Sequence, residues 1–301
     1  MTRAGQNSIY KMITDKIIDG LKKGVVPWSN PMLFQGDRNY RGTRYNGINV
    51  LLLTIAKQLV PEMTSNIWLT KNQINKLGGR IAKGAKGQTV VYWNFKKVNL
   101  LDGGSIVRDE DGNPVTRSIA YLKYYMVFNF AQTEGIEEPK WSRDLKRDNS
   151  TLEDAQAIID GWEDKPEISV NGYSKAFYSP KEDKISIPEI DTFTSSEAYY
   201  SVLYHEAVHS TGHPQRLNRF NVNEFVGREE YSKEELVAEI GASFLCGIAG
   251  IRDNDEAMNS QAYINGWVSR LEDDVKMIVQ AAGKAQKAVN AITGNLYEET
   301  E

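Results

Sequence analysis

The stretch that most constrains this chain is Tyr204–His213, which reads YHEAVHSTGH and contains every histidine of the 301 residues. It begins with the pattern H-E-x-x-H. On a helix, residues i and i+4 project from one face, so His205 and His209 can reach one ion. Glu206 lies one residue further round and can act as a general base on water. The pattern therefore predicts a metal-binding helix of the zinc-peptidase type.

A third ligand must come from elsewhere in the chain. The metzincin pattern would place a histidine where this sequence has Gln215. On a continued helix, His213 would lie roughly 12 Å beyond His205, which is too far for a shared ion. The better candidate is the downstream segment SKEELVAEIGASFL, in which Glu235 and Glu239 share one helical face beside small residues.

This segment resembles the second helix of glutamate-type zinc peptidases. The resemblance implies that Glu235 binds the metal and that Glu239 hydrogen-bonds a ligand histidine. Zinc is the expected ion, because two imidazoles and a carboxylate suit it, although other divalent metals remain open. The sequence leaves the oxyanion-stabilising donor open among Tyr178, Tyr231 and His213. The strand Lys184–Ile187 is expected to be an edge that pairs with an extended peptide.

Composition and the chain start narrow the class of protein. The single cysteine, Cys246, excludes an internal disulfide framework and is expected to be buried as a free thiol. No apolar run approaches the roughly eighteen residues of a membrane span, and the first residues lack the apolar core of a signal peptide. We therefore expect a cytoplasmic protein with no membrane partner.

Charge divides the chain into two parts. Residues 1–130 contain 19 Lys and Arg against 8 Asp and Glu, whereas the remaining residues contain 17 against 32. A basic half joined to an acidic half predicts two roles, with a polyanion as partner of the first.

The periodicity predicts an α+β protein of two domains. Helices are expected over residues 8–23, from Asn46 and from Thr70, followed by strands over residues 88–101 and 118–130 joined by a hairpin. The predicted domains are residues 1–135 and 151–301, with a linker over residues 136–150. Ser150 with Glu153, and then Ser195, are expected to begin helices of the second domain. We expect each half to fold alone.

The basic half combines cations with aromatic rings, as single-strand-binding surfaces do. Basic side chains neutralise phosphates, aromatic faces stack unpaired bases, and glycines let a backbone approach a phosphate. For Trp93, Tyr121, Tyr125 and Phe128, which lie in strand patterns, a core position is expected instead. The predicted DNA contacts are Trp28, Arg38, Arg41, Arg44, Tyr45, Trp68, Lys71, Lys83 and Lys86.

The whole chain resembles the ArdC-type antirestriction proteins of conjugative plasmids. The N-terminal half carries PWSNP at residues 27–31, RYNGIN at 44–49 and WLTKNQ at 68–73, similar to that family's single-strand-DNA-binding domain. The C-terminal half carries AFYSP at residues 176–180, HEAVHSTGH, RLNR at 216–219 and EELVAE at 234–239, similar to its zincin-like peptidase domain.

The resemblance implies protection of incoming single-stranded plasmid DNA from host restriction, with a protein or peptide substrate that it does not name. Two alternatives stay open at this point. One is a non-enzymatic DNA-coating protein with a structural metal site. The other is a cytoplasmic regulatory metalloprotease that does not bind DNA.

Overall fold

The computed structural model describes residues 3–28, 37–103, 105–143, 151–171, 176–193, 195–219, 228–251 and 261–294. The N-terminal helices are α1 (Arg3–Lys22), α2 (Ile48–Leu59), α3 (Lys71–Lys76) and α4 (Lys140–Arg143). The N-terminal strands are β1 (Arg38–Asn39), β2 (Ile67–Thr70), β3 (Arg80–Ile81), β4 (Gln88–Asn99), β5 (Leu101–Asp102), β6 (Ser105–Ile106), β7 (Thr116–Asn129) and β8 (Thr133–Glu134).

The main N-terminal sheet has the order β1-β2-β7-β4. β1 runs parallel to β2, and the other neighbours are antiparallel. β4 pairs along its whole length with residues 116–127 of β7, which confirms the two long strands and the hairpin predicted between them.

The C-terminal part places helices around a small sheet. Its helices are α5 (Thr151–Asp160), α6 (Ser196–Ser210), α7 (Arg228–Ala249), α8 (Gln261–Asp273) and α9 (Met277–Thr293). Its strands are β9 (Glu167–Asn171), β10 (Phe177–Ser179) and β11 (Lys184–Pro188), in the order β10-β11-β9. The α+β class is therefore confirmed. The prediction that residues 184–187 form an edge is wrong, because β11 is paired on both sides and β10 is the edge strand beside it.

Local capping explains where several helices begin. The Thr70 hydroxyl accepts a hydrogen bond from the Gln73 backbone, and the Gln73 side chain accepts one from the Thr70 N–H, which is a complete capping box at α3. Ser195 accepts a hydrogen bond from the Ala198 N–H at the start of α6. The predicted cap at Asn46 is wrong: Gly47, with a φ of 55°, occupies the cap position of α2 and no side chain caps it.

The predicted linker, residues 136–150, is described only as far as residue 143. Its first part packs on the N-terminal domain, because Trp141 Nε1 donates to the Tyr40 carbonyl at 3.1 Å and the Tyr40 hydroxyl donates to the Glu137 carbonyl at 2.9 Å. Ser150, the predicted cap of α5, lies outside the described residues.

The two halves share one hydrophobic core, which extends from α1 to α9. Trp28 is 2% exposed, and its Nε1 donates to the Tyr263 hydroxyl at 3.0 Å. Its ring meets the Trp267 ring edge-on, with 6.0 Å between centroids. The Thr14 hydroxyl donates to the Val275 carbonyl at 2.7 Å. The N-terminal helix is thus held by residues of the C-terminal half. In the described part of the chain, no helix is both long and apolar enough to cross a membrane.

Candidate functional site

Helices α6 and α7 bring the three predicted metal ligands together. The Nε2 atoms of His205 and His209 lie 3.1 Å apart. Glu235 reaches them from α7, with carboxylate oxygens 3.3 Å from His209 Nε2 and 3.7 Å from His205 Nε2. One ligand atom from each residue lies within 4.8 Å of the others. Two imidazole nitrogens and one carboxylate converging in this way fit a divalent metal ion.

Close packing of the two helices makes this convergence possible. A Cβ added to Gly241 of α7 would lie 2.8 Å from a methyl group of Val208 on α6, which is closer than side chains tolerate. The small residues of the predicted segment therefore let α7 approach α6, as expected from the sequence. The approach of the helices sets how far Glu235 reaches toward the two histidines.

Electrostatics separate the two histidines. Burial lowers the pKa of His205, and the neighbouring His209 lowers it further, to about 4. Burial also lowers the pKa of His209, but the neighbouring carboxylates of Glu234 and Glu235 outweigh it and raise the pKa to about 9. At neutral pH the metal-free pair of histidines therefore carries one positive charge. That charge is on His209, and His205 is neutral.

Glu234 orients His209 from behind. Its Oε1 lies 3.7 Å from His209 Nδ1, and its carboxylate forms an ion pair with Arg219 at 2.6 Å. Arg219 also donates to the Thr211 hydroxyl at 2.6 Å and to the Val208 carbonyl at 2.7 Å. Both side chains of the ion pair are buried. Neither residue is predicted from the sequence as part of the site, although both belong to the segments that carry the family resemblance.

The carboxylate behind His209 is Glu234 and not Glu239, which the sequence predicts to orient a ligand histidine. Glu234 lies one residue before the predicted ligand Glu235, on the same turn of α7. Glu239 interacts with the hydroxyl of Tyr263, which itself accepts the hydrogen bond from Trp28. Four residues separate Glu235 from Glu239, which places Glu239 one turn further along α7.

Glu206, the predicted general base, accepts a hydrogen bond from the backbone N–H of Tyr178 on β10. Burial raises the pKa of its carboxyl group, and this effect outweighs the opposing influence of His209 and of the Tyr178 N–H. Because the Tyr178 N–H points to α6, it points away from β11. The side of β10 that faces away from β11 therefore borders the proposed base.

The side chain of Tyr178 belongs to a separate cluster. Its hydroxyl donates to Asp183 at 2.7 Å, and Arg216 pairs with the same carboxylate. Burial raises the pKa of Asp183, but hydrogen bonds from Arg216 and Tyr178 more than offset it, so the pKa is lowered. Arg216 also donates to the Ser210 carbonyl at the end of α6 at 2.8 Å. The cluster thus joins the edge strand to the helix that carries the histidines.

Two of the three candidate oxyanion donors, Tyr178 and His213, lie in the described part of the chain. The Tyr178 hydroxyl is already donated to Asp183. His213 lies in the turn after α6, where its Nδ1 accepts from the Gln215 N–H, so it stands apart from the three metal ligands. The side chain of Tyr231 lies outside the described residues. Cys246 is a buried free thiol, as expected.

Comparisons with known proteins agree with this two-part description. Residues 7–128 match the family described as the N-terminal domain of anti-restriction factor ArdC, and residues 153–284 match the zincin-like metallopeptidase family. The metal-free crystal structure of the antirestriction protein ArdC from plasmid R388 is similar, with a TM-score of 0.73 and 36% identity, over 95% of this chain and 97% of that one. This chain belongs to the ArdC family of antirestriction proteins.

Other similarities extend beyond that protein. The Mn(II)-bound structure of the R388 ArdC protein has a TM-score of 0.71 at 34% identity, covering 97% of this chain and 99% of that one. Two Escherichia coli proteins named DNA primase TraC are 31% identical to this chain over 92% of its length. The chain spans only 19% of the length of one of them and 26% of the other. The uncharacterized protein y4eC of Sinorhizobium fredii is 29% identical, over 93% of this chain and 89% of its own.

The aromatic residues predicted to stack on DNA are buried. Trp28 lies in the core between the halves, and Trp68 is 0% exposed with its Nε1 donating to Asp37 at 2.7 Å. Tyr45 is also buried, and its hydroxyl donates to the Tyr92 hydroxyl. These three rings have no face available for a base, so their prediction as stacking residues is wrong. Burial of ring area in a core stabilises the fold instead.

The predicted basic contacts differ in how accessible they are. Four of them are exposed, namely Arg41, Lys71, Lys83 and Lys86. Arg44 is half-buried, and Arg38 donates to the Gly42 carbonyl at 2.6 Å while its guanidinium lies over the Trp141 ring. Arg38 therefore stabilises its own turn. The exposed four stay predicted phosphate contacts.

Two of the four strand aromatics predicted as core show the opposite error. Trp93 is 52% exposed, and Tyr125 is 43% exposed, although their strand pattern predicts core positions. β2 covers β7 only from Val127 onward, so much of the β4–β7 hairpin extends beyond the sheet. A strand pattern signals a side chain's face but not whether another element covers that face.

Proposed function

We propose that this ArdC-family protein binds single-stranded DNA through its N-terminal domain and hydrolyses peptide bonds at a zinc site in its C-terminal domain. In this way it protects incoming conjugative plasmid DNA from host restriction in the cytoplasm. One observation carries the peptidase part of the proposal. His205 and His209 of α6 converge with Glu235 of α7, and α6 also presents Glu206. A purely structural metal site has no use for a glutamate at that position.

The chain's own groups have distinct tasks in hydrolysis. His205, His209 and Glu235 would hold a zinc ion, which would supply Lewis-acid chemistry for a carbonyl oxygen and for water. The carboxylate of Glu206 accepts a proton from the attacking water and passes it to the leaving amine. Its raised pKa makes it a stronger base than an exposed glutamate. The Tyr178 N–H holds that carboxylate in position.

The edge strand supplies a place for an extended substrate. β10 pairs with β11 on one side, and its other side borders Glu206. An extended peptide can add to such an edge through main-chain hydrogen bonds, which bind many sequences alike. The proposed substrate is therefore an extended segment of a protein, such as a component of a host restriction system.

The DNA-binding part rests on charge and on the family. The N-terminal domain carries the excess of Lys and Arg and matches the N-terminal domain of an antirestriction factor. Neutralising phosphates with basic side chains supplies most of non-specific nucleic-acid affinity. That domain shares a hydrophobic core with the metal-binding half, so the two proposed activities belong to one folded unit.

The test combines metal analysis with cleavage of an unfolded protein. Wild-type protein should contain about one divalent ion per chain and cleave fluorescently labelled casein. Glu206→Gln should keep the ion and lose cleavage. Equal cleavage by this variant would rule out the proposed base. Metal-loaded wild type that cleaves nothing while binding single-stranded DNA would favour a DNA-coating protein with a structural metal.

A further inference from the structure

The β4–β7 hairpin forms a two-stranded ribbon with two different faces. The pairing runs from Gln88 opposite Val127 to Asn99 opposite Thr116. Residues directly opposite one another share a face, and successive residues alternate between faces. Near the sheet both faces are covered, because Val90 and Val91 are buried in two different hydrophobic clusters. Toward the turn, the side chains of both faces become exposed.

One face combines tyrosines with cations, and we name it the tyrosine face. From the sheet outward, its pairs are Val90 with Tyr125, Tyr92 with Lys123, Asn94 with Tyr121, Lys96 with Ile119, and Val98 with Arg117. The opposite face carries Trp93, Phe95, Lys97, Tyr124 and Met126. Neither strand contains an acidic residue. The tyrosine face therefore carries three cations and the opposite face one.

Contacts between the rings arrange the tyrosine face into a row. The rings of Tyr92 and Tyr125 meet edge-on, with 5.5 Å between centroids. The buried Tyr45 supports Tyr92 from below through a hydroxyl–hydroxyl hydrogen bond. Further out, the Lys123 ammonium lies 5.8 Å from the centroid of the Tyr121 ring. Three aromatic rings near the sheet are thus followed by two cations toward the turn, with Lys123 among the rings.

We propose that the tyrosine face is the site at which this protein holds single-stranded DNA. Unpaired bases stack on Tyr92, Tyr121 and Tyr125, and the phosphates between them meet Lys96, Arg117 and Lys123. The absence of acidic residues from both strands makes the ribbon complementary to a polyanion. Bases stacked within a duplex cannot reach the rings, so single strands are preferred. This inference rests on the proposed function of single-strand binding.

The chain offers matched controls, because neighbouring residues of the same type lie on opposite faces. Lys96 belongs to the tyrosine face and Lys97 to the other, and both are exposed. Tyr125 belongs to the tyrosine face and Tyr124 to the other, with exposures of 43% and 50%. The full chain carrying Lys96→Gln, Lys97→Gln, Tyr125→Leu or Tyr124→Leu can therefore be compared pair by pair. Leucine retains bulk on the strand, and circular dichroism checks that each variant is folded.

The measurement is fluorescence anisotropy of a labelled oligothymidylate over a series of salt concentrations. Tyr125→Leu should weaken binding about tenfold, or about 1.4 kcal/mol, with an unchanged salt slope. Lys96→Gln should reduce the slope of log K against log salt by about 0.7. Tyr124→Leu and Lys97→Gln should behave as wild type.

The possible failures can be told apart. If wild-type protein does not bind the oligonucleotide, single-strand binding itself is refuted, and this assignment with it. If wild type binds but each pair of variants behaves alike, the tyrosine face is not the site, although single-strand binding stands. If the Tyr124 and Lys97 variants are the weak ones, the opposite face binds. Equal affinity for duplex DNA at matched salt overturns the stacking.

Discussion

Glu234 Oε1 lies 3.7 Å from His209 Nδ1, while His209 Nε2 faces the other predicted metal ligands, His205 and Glu235. The buried Arg219 pairs with the same carboxylate, so its position is held from behind. A carboxylate behind a ligand histidine sets the ring orientation and makes its nitrogen a better donor. Metal binding and stability are therefore connected through one ion pair.

We expect Glu234→Gln to weaken zinc affinity by about 10- to 100-fold without changing the number of ions bound. The change also leaves Arg219 buried without its charged partner, and breaking a buried ion pair costs about 3–5 kcal/mol. Competition with a chelating dye measures the affinity, and urea denaturation measures the free energy of unfolding. The control is Glu167→Gln, which breaks the ion pair between Glu167 and Lys184. Because the Glu167 side chain is 69% exposed, this substitution should reduce the free energy of unfolding by at most about 1 kcal/mol. Equal effects from both substitutions would contradict the orienting role of Glu234.

Metal content distinguishes the predicted metal ligands from the predicted general base. His205→Ala and Glu235→Ala should each lose the ion under dialysis, because each removes one of three protein ligands. His213→Ala should retain it, since that histidine lies in the turn beyond α6. Elemental analysis of the purified variants gives the answer. Full occupancy in Glu235→Ala would transfer the third ligand to another carboxylate.

Metal binding should release a proton. In the metal-free protein the pKa of His209 is raised to about 9 and that of His205 is lowered to about 4, so at pH 7 one imidazole carries a proton that the ion must displace. Calorimetry in buffers of different ionisation enthalpy should show about one proton released per ion. Apparent affinity should then rise about tenfold per pH unit from pH 7 until the pKa of His209 is passed.

The same shifts affect the stability of the metal-free protein. The pKa of His209 is higher in the folded state than its usual 6.5, so its contribution is complete below that value and is lost as pH rises toward 9. His205 behaves in the opposite sense: with its pKa lowered, stability decreases as pH falls from 6.5 toward 4. Urea denaturation across this range in the presence of a chelator tests both. In the calorimetric experiment on metal binding, proton uptake or the absence of proton release would contradict the assignment of the extra proton to His209.

The shared core makes a further prediction about Trp28. Trp28→Ala should reduce the free energy of unfolding by about 3–5 kcal/mol, because it empties a ring-sized space and removes the hydrogen bond from Trp28 to the Tyr263 hydroxyl. Trp93→Ala, on the exposed ribbon, should change it by no more than about 0.5 kcal/mol. Under conditions in which both variants are folded, neither should change the salt dependence of DNA binding. A large loss of stability in Trp93→Ala would place that ring in an unrecognised core.

The fragment of residues 1–143 tests the same interface. Without α8 and α9, the apolar face of α1 and the Trp28 ring would be exposed to water. We therefore expect the isolated fragment to bind a hydrophobic dye and to unfold without a sharp transition. A cooperative transition equal to that of the full chain would instead support the independent folding expected from the charge division alone.

Local sequence patterns determined the parts of this protein that depend on near neighbours. The spacing of His205 and His209 specifies one helical face, Thr70 and Gln73 specify a helix start, and the long apolar–aromatic runs specify β4 and β7. These features follow from backbone geometry over a few residues, so a single sequence is enough to predict them.

Only the tertiary structure decided which surfaces are covered and which carboxylate meets which histidine. Trp28 and Trp93 are indistinguishable as isolated tryptophans, yet one is packed against Trp267 and the other lies on a ribbon that extends beyond its sheet. Glu234 and Glu239 are both plausible partners on α7, and the selection of Glu234 depends on how α7 approaches α6 at Gly241 and on Arg219 beyond it. Burial and pairing of this kind arise from contacts between residues far apart in the chain, which neither periodicity nor spacing encodes.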